Sequence, residues 1–154
     1  MTHNKNKLFI VDGMAIAYRA HFALIRDPLV TSDGRHISAT YGFLNALFKI
    51  VRDEKPDLLA VAFDSREKTF RHKKFPDYKA TREKMPFEMR PQIQWIKDIL
   101  QAMRVPMIEV PGFEADDIIG SLAKRAEKDG IDTYMVSGDK DFMQLVTEKS
   151  TIWD

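Results

Sequence analysis

Cysteine is absent from the 154 residues, which excludes disulfides, thiolate zinc sites and a cysteine nucleophile, and is compatible with a reducing cytosol. Histidine is scarce. The four that occur, His3, His21, His36 and His72, are scattered without ligand spacing, so each is expected at the surface or in the core rather than on a metal. No apolar run is long enough to span a bilayer, and the N-terminus from Met1 to Lys7 leads into only a brief one. The expectation is a cytoplasmic protein with no secretory signal and no membrane partner. Repeats and low-complexity tracts are missing too. Hydrophobic residues at 44%, charged residues at 31%, 7 Gly and 7 Pro are the proportions of a folded globular chain, and the length suits one domain, residues 1 to 154.

Charge is plentiful but unevenly placed. The formal net charge of +1 conceals a segment from Ser65 to Lys84 with eight Lys or Arg against three acidic residues, which leaves the remainder at a net of −4. A basic segment beside acidic clusters suggests a polyanionic partner that reaches its site with the help of cations.

Lys7 to Val11 reads as a buried strand ending at Asp12-Gly13, and Ala15 to Phe22 as a helix carrying Tyr18. Turn formers cluster from Asp27 to Arg35. Tyr41, Leu44, Leu47, Phe48 and Val51 recur at helical spacing up to Lys55-Pro56. Leu58 to Phe63 is a second buried strand closed by Asp64. The basic stretch that follows interleaves Phe70, Phe75 and Tyr78 with cations and lacks a continuous apolar face, so it is expected outside the core. Ile93, Ile96, Ile99, Leu100 and Met103 form the stripe of the next helix. Val105 to Val110 is a third strand, with Pro106 confining it to an end or edge. After Pro111-Gly112 comes an amphipathic helix with Ala115, Ile118, Ile119, Leu122 and Ala126 on one face. Asp132 to Val136 is a fourth strand, Asp139 opens a helix with Phe142, Met143 and Leu145, and Thr151 to Trp153 begins another strand.

Alternating strands and helices predict an α/β domain, a mostly parallel central sheet with helices on both faces. In such sheets ligands bind beyond the carboxyl ends of the strands. Asp12, Asp64, the cluster Glu114, Asp116 and Asp117, and the pair Asp139 and Asp141 each follow a different strand, so seven carboxylates are expected on one rim. Taken singly each has an ordinary explanation: a tight turn at Asp12-Gly13, an N-cap at Asp139, acids at a helix start. Capping does not explain why four successive strands all deliver acids to one edge. Like charges gathered there call for protonation or cations, and oxygen-only ligands favour Mg²⁺ or Mn²⁺. Aromatics interleaved with cations after Asp64 suit nucleic acid, where bases stack and phosphates pair; the alternative is a solvated loop.

These motifs resemble the flap endonuclease family, in the form of the 5′-nuclease domain attached to bacterial DNA polymerases of type I. The match runs in order from Phe9-Ile10-Val11-Asp12-Gly13 through Tyr41-Gly42-Phe43-Leu44, Ala60-Val61-Ala62-Phe63-Asp64, Lys68-Thr69-Phe70-Arg71-His72, Tyr78-Lys79-Ala80 and Gly112-Phe113-Glu114-Ala115-Asp116-Asp117 to Gly138-Asp139-Lys140-Asp141. The resemblance implies a PIN-like 5′-nuclease core with a basic arch at about residues 65 to 90. It implies removal of nucleotides or flaps from DNA 5′ ends, and of RNA primers, beside a polymerase domain. Asp12, Asp64 and Asp116 match acids of a first metal, with Glu114 and Asp117 in the same shell, and Asp139 and Asp141 match acids of a second. Arg71, Tyr78, Lys79 and Arg82 match the arch that binds the 5′ end. Tyr18 matches a stacking aromatic, and Lys79 and Arg82 are placed to offset charge on the reacting phosphate.

Family members continue beyond the position of Asp154 into a further acidic motif and a helix-hairpin-helix element, so an incomplete second metal site and weak or absent cleavage by this chain alone are expected. Two other readings compete: a non-catalytic DNA-binding or scaffolding piece, separated by metal-dependent turnover, and a small PIN-type ribonuclease, against which the long basic arch argues. An aspartate-nucleophile phosphatase fits less well, since Asp12-Gly13-Met14 lacks a second acid two residues on.

Overall fold

The computed structural model describes residues 6–154. His3 and the reading of the first residues as a non-signal leader lie outside the described residues. Five strands form one sheet in the order β3-β2-β1-β4-β5, where β1 is Lys7–Asp12, β2 Leu58–Ala62, β3 Met107–Ile108, β4 Asp132–Val136 and β5 Ser150–Trp153. All four pairings are parallel. The chain steps outward from β1 through β2 to β3, then returns to lay β4 on the other side of β1. That reversal opens a crevice between the carboxyl ends of β1 and β4, the place where such sheets bind ligands.

Alternation along β1 explains the layering. Phe9 and Val11 point to one face and Ile10 to the other, and all three are buried because helices cover both sides. On the first face lie α1 (Gly13–Ala23), α2 (Ser38–Lys49) and α4 (Arg90–Ala102), which bring Ile16, Phe43, Leu47, Ile96 and Leu100 against Phe9, Val61 and Phe63. On the second, α5 (Ala115–Lys128) brings Ala115, Ile119 and Ala123 against Ile10, Ala62 and Met135. Each large apolar side chain buried in this way contributes about 1.5–3 kcal/mol.

Three readings of the sequence are corrected. The buried face of α2 is Ala39, Phe43, Leu47 and Ile50, while Tyr41, Phe48 and Val51 are exposed; Gly42 lets the helix pack closely on Ala20 of α1 and so sets its rotation. The helix then loosens into a π turn over Ile50–Glu54 before Pro56. The expected third strand shrinks to Met107–Ile108, an edge position consistent with Pro106. The segment opened by Asp139 is a 3₁₀ turn, Lys140–Leu145, that buries Phe142 and exposes Met143. In α4 the deepest residues include Gln92, whose amide donates to the Glu88 carbonyl at 2.9 Å and accepts from the Thr40 N–H at 3.0 Å, tying α4 to the start of α2.

Between β2 and α4 the basic segment carries only a short helix, α3 (Phe70–Lys74), with no buried residue of its own. Thr69 caps it, donating its N–H to His72 Nδ1 at 3.2 Å. Among the described residues no helix is long and apolar enough to cross a membrane.

Candidate metal centre

Each acid reaches the crevice for a local reason. Asp12 ends β1 and caps α1, its Oδ1 accepting from the Ala15 N–H at 3.2 Å while Oδ2 accepts from Ser137 Oγ at 3.2 Å. Gly13 follows because a Cβ there would fall 2.5 Å from the buried Phe63 ring. Asp64 lies just past β2, after Phe63, and its Oδ1 accepts from the Ala115 N–H at 2.7 Å, tying the end of β2 to the first turn of α5. Gly112, at φ +81, makes the left-handed turn that brings Glu114 to the N-cap of α5. Asp116 and Asp117 then occupy its first turn. Asp139 follows β4 and caps the 3₁₀ turn through the Asp141 N–H at 2.9 Å.

Asp12, Asp64, Glu114, Asp116 and Asp139 line one small cavity of about 150 Å³, together with Tyr18, Lys79 and Arg82. Asp117 and Asp141 face a neighbouring, larger cleft of about 710 Å³, which Asp116 also borders. Five of the seven acids therefore converge, and the other two stand just beyond them.

The acids differ sharply in how they are neutralised. Burial, helped by the charges of Asp64 and Asp116, pushes the Asp12 carboxyl up to about 6 despite its two hydrogen bonds. Burial also raises Asp116, with Glu114 and Asp117 adding repulsion. Among the described residues neither these two nor Asp64 has a Lys or Arg in an ion pair. Glu114 and Asp117 are matched instead by the arch. Arg71 forks onto Asp117, Nη1 to Oδ2 and Nη2 to Oδ1 at 2.8 Å each, and Nη1 also donates to Glu114 at 3.0 Å. Lys79 Nζ reaches Glu114 at 2.7 Å and the Tyr78 hydroxyl donates to it at 3.2 Å. The Arg71 hydrogen bond accordingly holds Asp117 below the ordinary carboxylate range. Burial alone would lower Lys79, but the hydrogen bond and charge of Glu114 outweigh it and leave Lys79 raised.

Oxygens of Glu114, Asp116 and Asp117 come within 4.8 Å of one another, a spacing that could hold an ion. Two of these three already have cationic partners, so the stronger unmet demand for positive charge lies on the side of Asp12, Asp64 and Asp116. A hard divalent cation fits that donor set: carboxylate oxygens from separate elements, buried enough that two of them resist ionising.

Ser137 has no role in the sequence reading. Its buried hydroxyl donates to Asp12 and accepts from the Asp139 N–H at 3.2 Å, bridging two acids that come from neighbouring strands. The only local signal is a hydroxyl residue at the end of β4, two positions before Asp139.

An all-parallel α/β sheet gathers acids at its switch point, with a cationic segment ion-paired to part of them. The chain belongs to the family described as 5′-3′ exonuclease, N-terminal resolvase-like domain, which matches residues 7–154. It is 49% identical over 153 residues to DNA polymerase I of Bacillus subtilis, covering 99% of this chain and 17% of that protein. With the 5′-3′ exonuclease of Aquifex aeolicus it shares 45% identity over 141 residues, 92% of this chain and 48% of the relative. The chain thus spans about a sixth of the first relative and about half of the second. Its fold is that of T5 5′-exonuclease, a PIN-like α/β arrangement: the form with bound zinc superposes with a TM-score of 0.72 at 22% identity, over 96% of this chain and 55% of that one. The T5 D15 protein co-crystallized with metal ions gives 0.71 at 19% identity, over 96% and 54%.

Proposed function

We propose that this chain is the catalytic core of a 5′-3′ exonuclease or flap endonuclease that hydrolyses DNA phosphodiesters near 5′ ends with Mg²⁺ or Mn²⁺. The observation that carries this reading is the convergence of Asp12, Asp64, Glu114, Asp116 and Asp139 on one cavity that also presents Lys79, Arg82 and Tyr18. Asp12, Asp64 and Asp116 would hold the first ion, and Asp139, with Asp141 beyond it, a second. Such ions supply a hydroxide nucleophile and stabilise a leaving oxygen. The chain's own side chains bind and orient the substrate. Lys79 and Arg82 engage the phosphate and offset its charge, Tyr78 and the rest of the arch at about residues 65 to 90 line the path of the 5′ end, and the Tyr18 ring stacks on a nucleotide beside the cut. The partners are DNA with a 5′ end or flap, an RNA primer, and a polymerase domain in the longer relatives, acting in the cytoplasm.

Cleavage by these residues alone is expected to be weak, because the second ion draws on only Asp139 and Asp141, which face different cavities. The test is Mn²⁺ soaked into crystals and located by anomalous scattering. A peak within about 2–2.5 Å of oxygens of Asp12, Asp64 and Asp116 supports the reading. Absence of any peak there, or flap cleavage indifferent to Asp64→Ala, would overturn it.

A further inference from the structure

The amino-terminal part of the arch meets the start of α5. Its first turn lies against the turn that precedes α5: the Phe70 N–H donates to the Gly112 carbonyl at 3.3 Å, and the Phe70 and Phe113 rings stand 5.9 Å apart. Arg71 adds three N–H bonds to carboxylates 43 and 46 residues away in sequence. Its guanidinium also lies 4.6 Å from the Phe70 ring centroid, so it sits between an aromatic surface and two acids.

This arrangement separates two roles that seven clustered acids leave merged. A guanidinium with three of its five N–H groups on carboxylates has little capacity left for a phosphate, and the Asp117 carboxylate, which accepts both Arg prongs and the Glu114 N–H, has three of its roughly four acceptor sites taken. The charges close as well: Arg71 and Lys79 against Glu114 and Asp117, with Asp12, Asp64 and Asp116 left over. We propose that Arg71 is a positioning residue that anchors the arch through Asp117 and Glu114, and that Asp117 is the arch's anchor rather than a ligand of the metal. Its fork holds the segment that carries Tyr78, Lys79 and Arg82 at a set height above the cavity. The assignment of Asp117 away from the metal rests on the proposed metal centre; the anchoring itself does not.

Two measurements on residues 1 to 154 test this: amide hydrogen exchange over residues 69 to 84, and Mn²⁺ affinity by titration. Asp117→Asn keeps an oxygen to accept from the Glu114 N–H, a 3.1 Å bond to Asp117 Oδ2, while removing the charge. Asp117→Asn and Arg71→Gln are each expected to speed exchange in the arch about tenfold or more, the double variant no further than either single one, and Arg71→Lys less than Arg71→Gln. Mn²⁺ affinity is expected to fall more than about tenfold in Asp116→Asn, to stay within about threefold in Asp117→Asn, and to rise about two- to fivefold in Arg71→Gln, which removes a nearby positive charge. A purely structural role for Arg71 would not tighten metal binding.

Arch exchange unchanged in Asp117→Asn and Arg71→Gln overturns the anchor. Mn²⁺ binding lost as fully in Asp117→Asn as in Asp116→Asn overturns the exclusion of Asp117 from the metal. Mn²⁺ affinity indifferent to Asp116→Asn would sink the metal centre alone, and the exchange data would then still support or overturn the anchor. Both side chains are part-buried but belong to neither hydrophobic cluster, so neither change opens a core cavity; should Arg71→Gln fail to fold, Arg71→Lys carries the comparison.

Discussion

Asp116 and Asp117 are neighbours in the chain and opposites in circumstance. Asp117 is held below the ordinary carboxylate range by Arg71, and Asp116 is raised by burial and by the charges of its neighbours. The same contrast divides the whole rim. On the arch side, Glu114 and Asp117 have their positive charge supplied by the protein. On the sheet side, Asp12, Asp64 and Asp116 have no such ion pair among the described residues. The acid cluster therefore falls into two parts, one ion-paired to the basic segment and one that leaves a demand for positive charge, and residue type alone does not separate them.

The largest effect that sharpens this contrast is expected from Asp12→Asn. Removing a carboxylate from the sheet side should weaken Mn²⁺ binding on the order of a hundredfold, measured by titration. The same change should stabilise the metal-free protein near pH 7. The folded-state carboxyl, at about 6, binds its proton more tightly than the unfolded one, at 3.8. Its contribution is thus fully present below the unfolded value and is lost as pH rises through about 6. Asparagine keeps the cap on α1 without the buried charge, so the gain at pH 7 should be about 1–3 kcal/mol, or several degrees in Tm, and should shrink to nothing as pH falls below about 3.

Gly13→Ala comes next. The new Cβ would lie 2.5 Å from a ring atom of Phe63, which is buried and cannot swing away. A loss of about 1–3 kcal/mol in denaturant unfolding is expected. Because Asp64 adjoins Phe63, Mn²⁺ affinity should fall while amide exchange in the arch stays the same; equal disturbance of both sides would break the division drawn here.

Ser137→Ala tests the sheet side more gently. It removes the hydroxyl that orients Asp12 and Asp139, and about a tenfold loss of Mn²⁺ affinity with little change in Tm is expected by calorimetry. The smallest effect belongs to Tyr78→Phe on the arch side. Deleting one hydrogen bond among several on Glu114 should cost about 0.5–1 kcal/mol, seen as a severalfold rise in arch exchange with metal affinity unchanged.

Much of the architecture was readable without coordinates, and the failures have definite causes. The strands ending at Asp12, Asp64 and Val136 stand out because strands buried on both faces are continuous apolar runs, which few other structures require. The face of α2 is ambiguous in sequence because helical spacing offers two overlapping stripes, and Gly42 against Ala20, a contact between helices, selects between them. Met107–Ile108 falls short of its apolar run because Pro106 has no N–H to carry the ladder toward the amino end of β2, and the pairing covers only Val61 and Ala62. The convergence of acids was legible from the rule that strand ends share an edge. The resemblance places Arg71 in the arch that binds the 5′ end, and its partners Glu114 and Asp117 lie too far along the chain for any local pattern to reveal.

Period, charge and position relative to strand ends are local properties of a chain, and they determined the alternating α/β order and which side of the sheet the carboxylates would meet. Which carboxylate is paired and which is bare depends on distances of a few ångströms between segments more than forty residues apart, where burial strengthens every interaction and a single guanidinium can reverse the direction of a pKa shift. That was decided by packing alone, when β4 settled beside β1 and the arch came to rest on the start of α5.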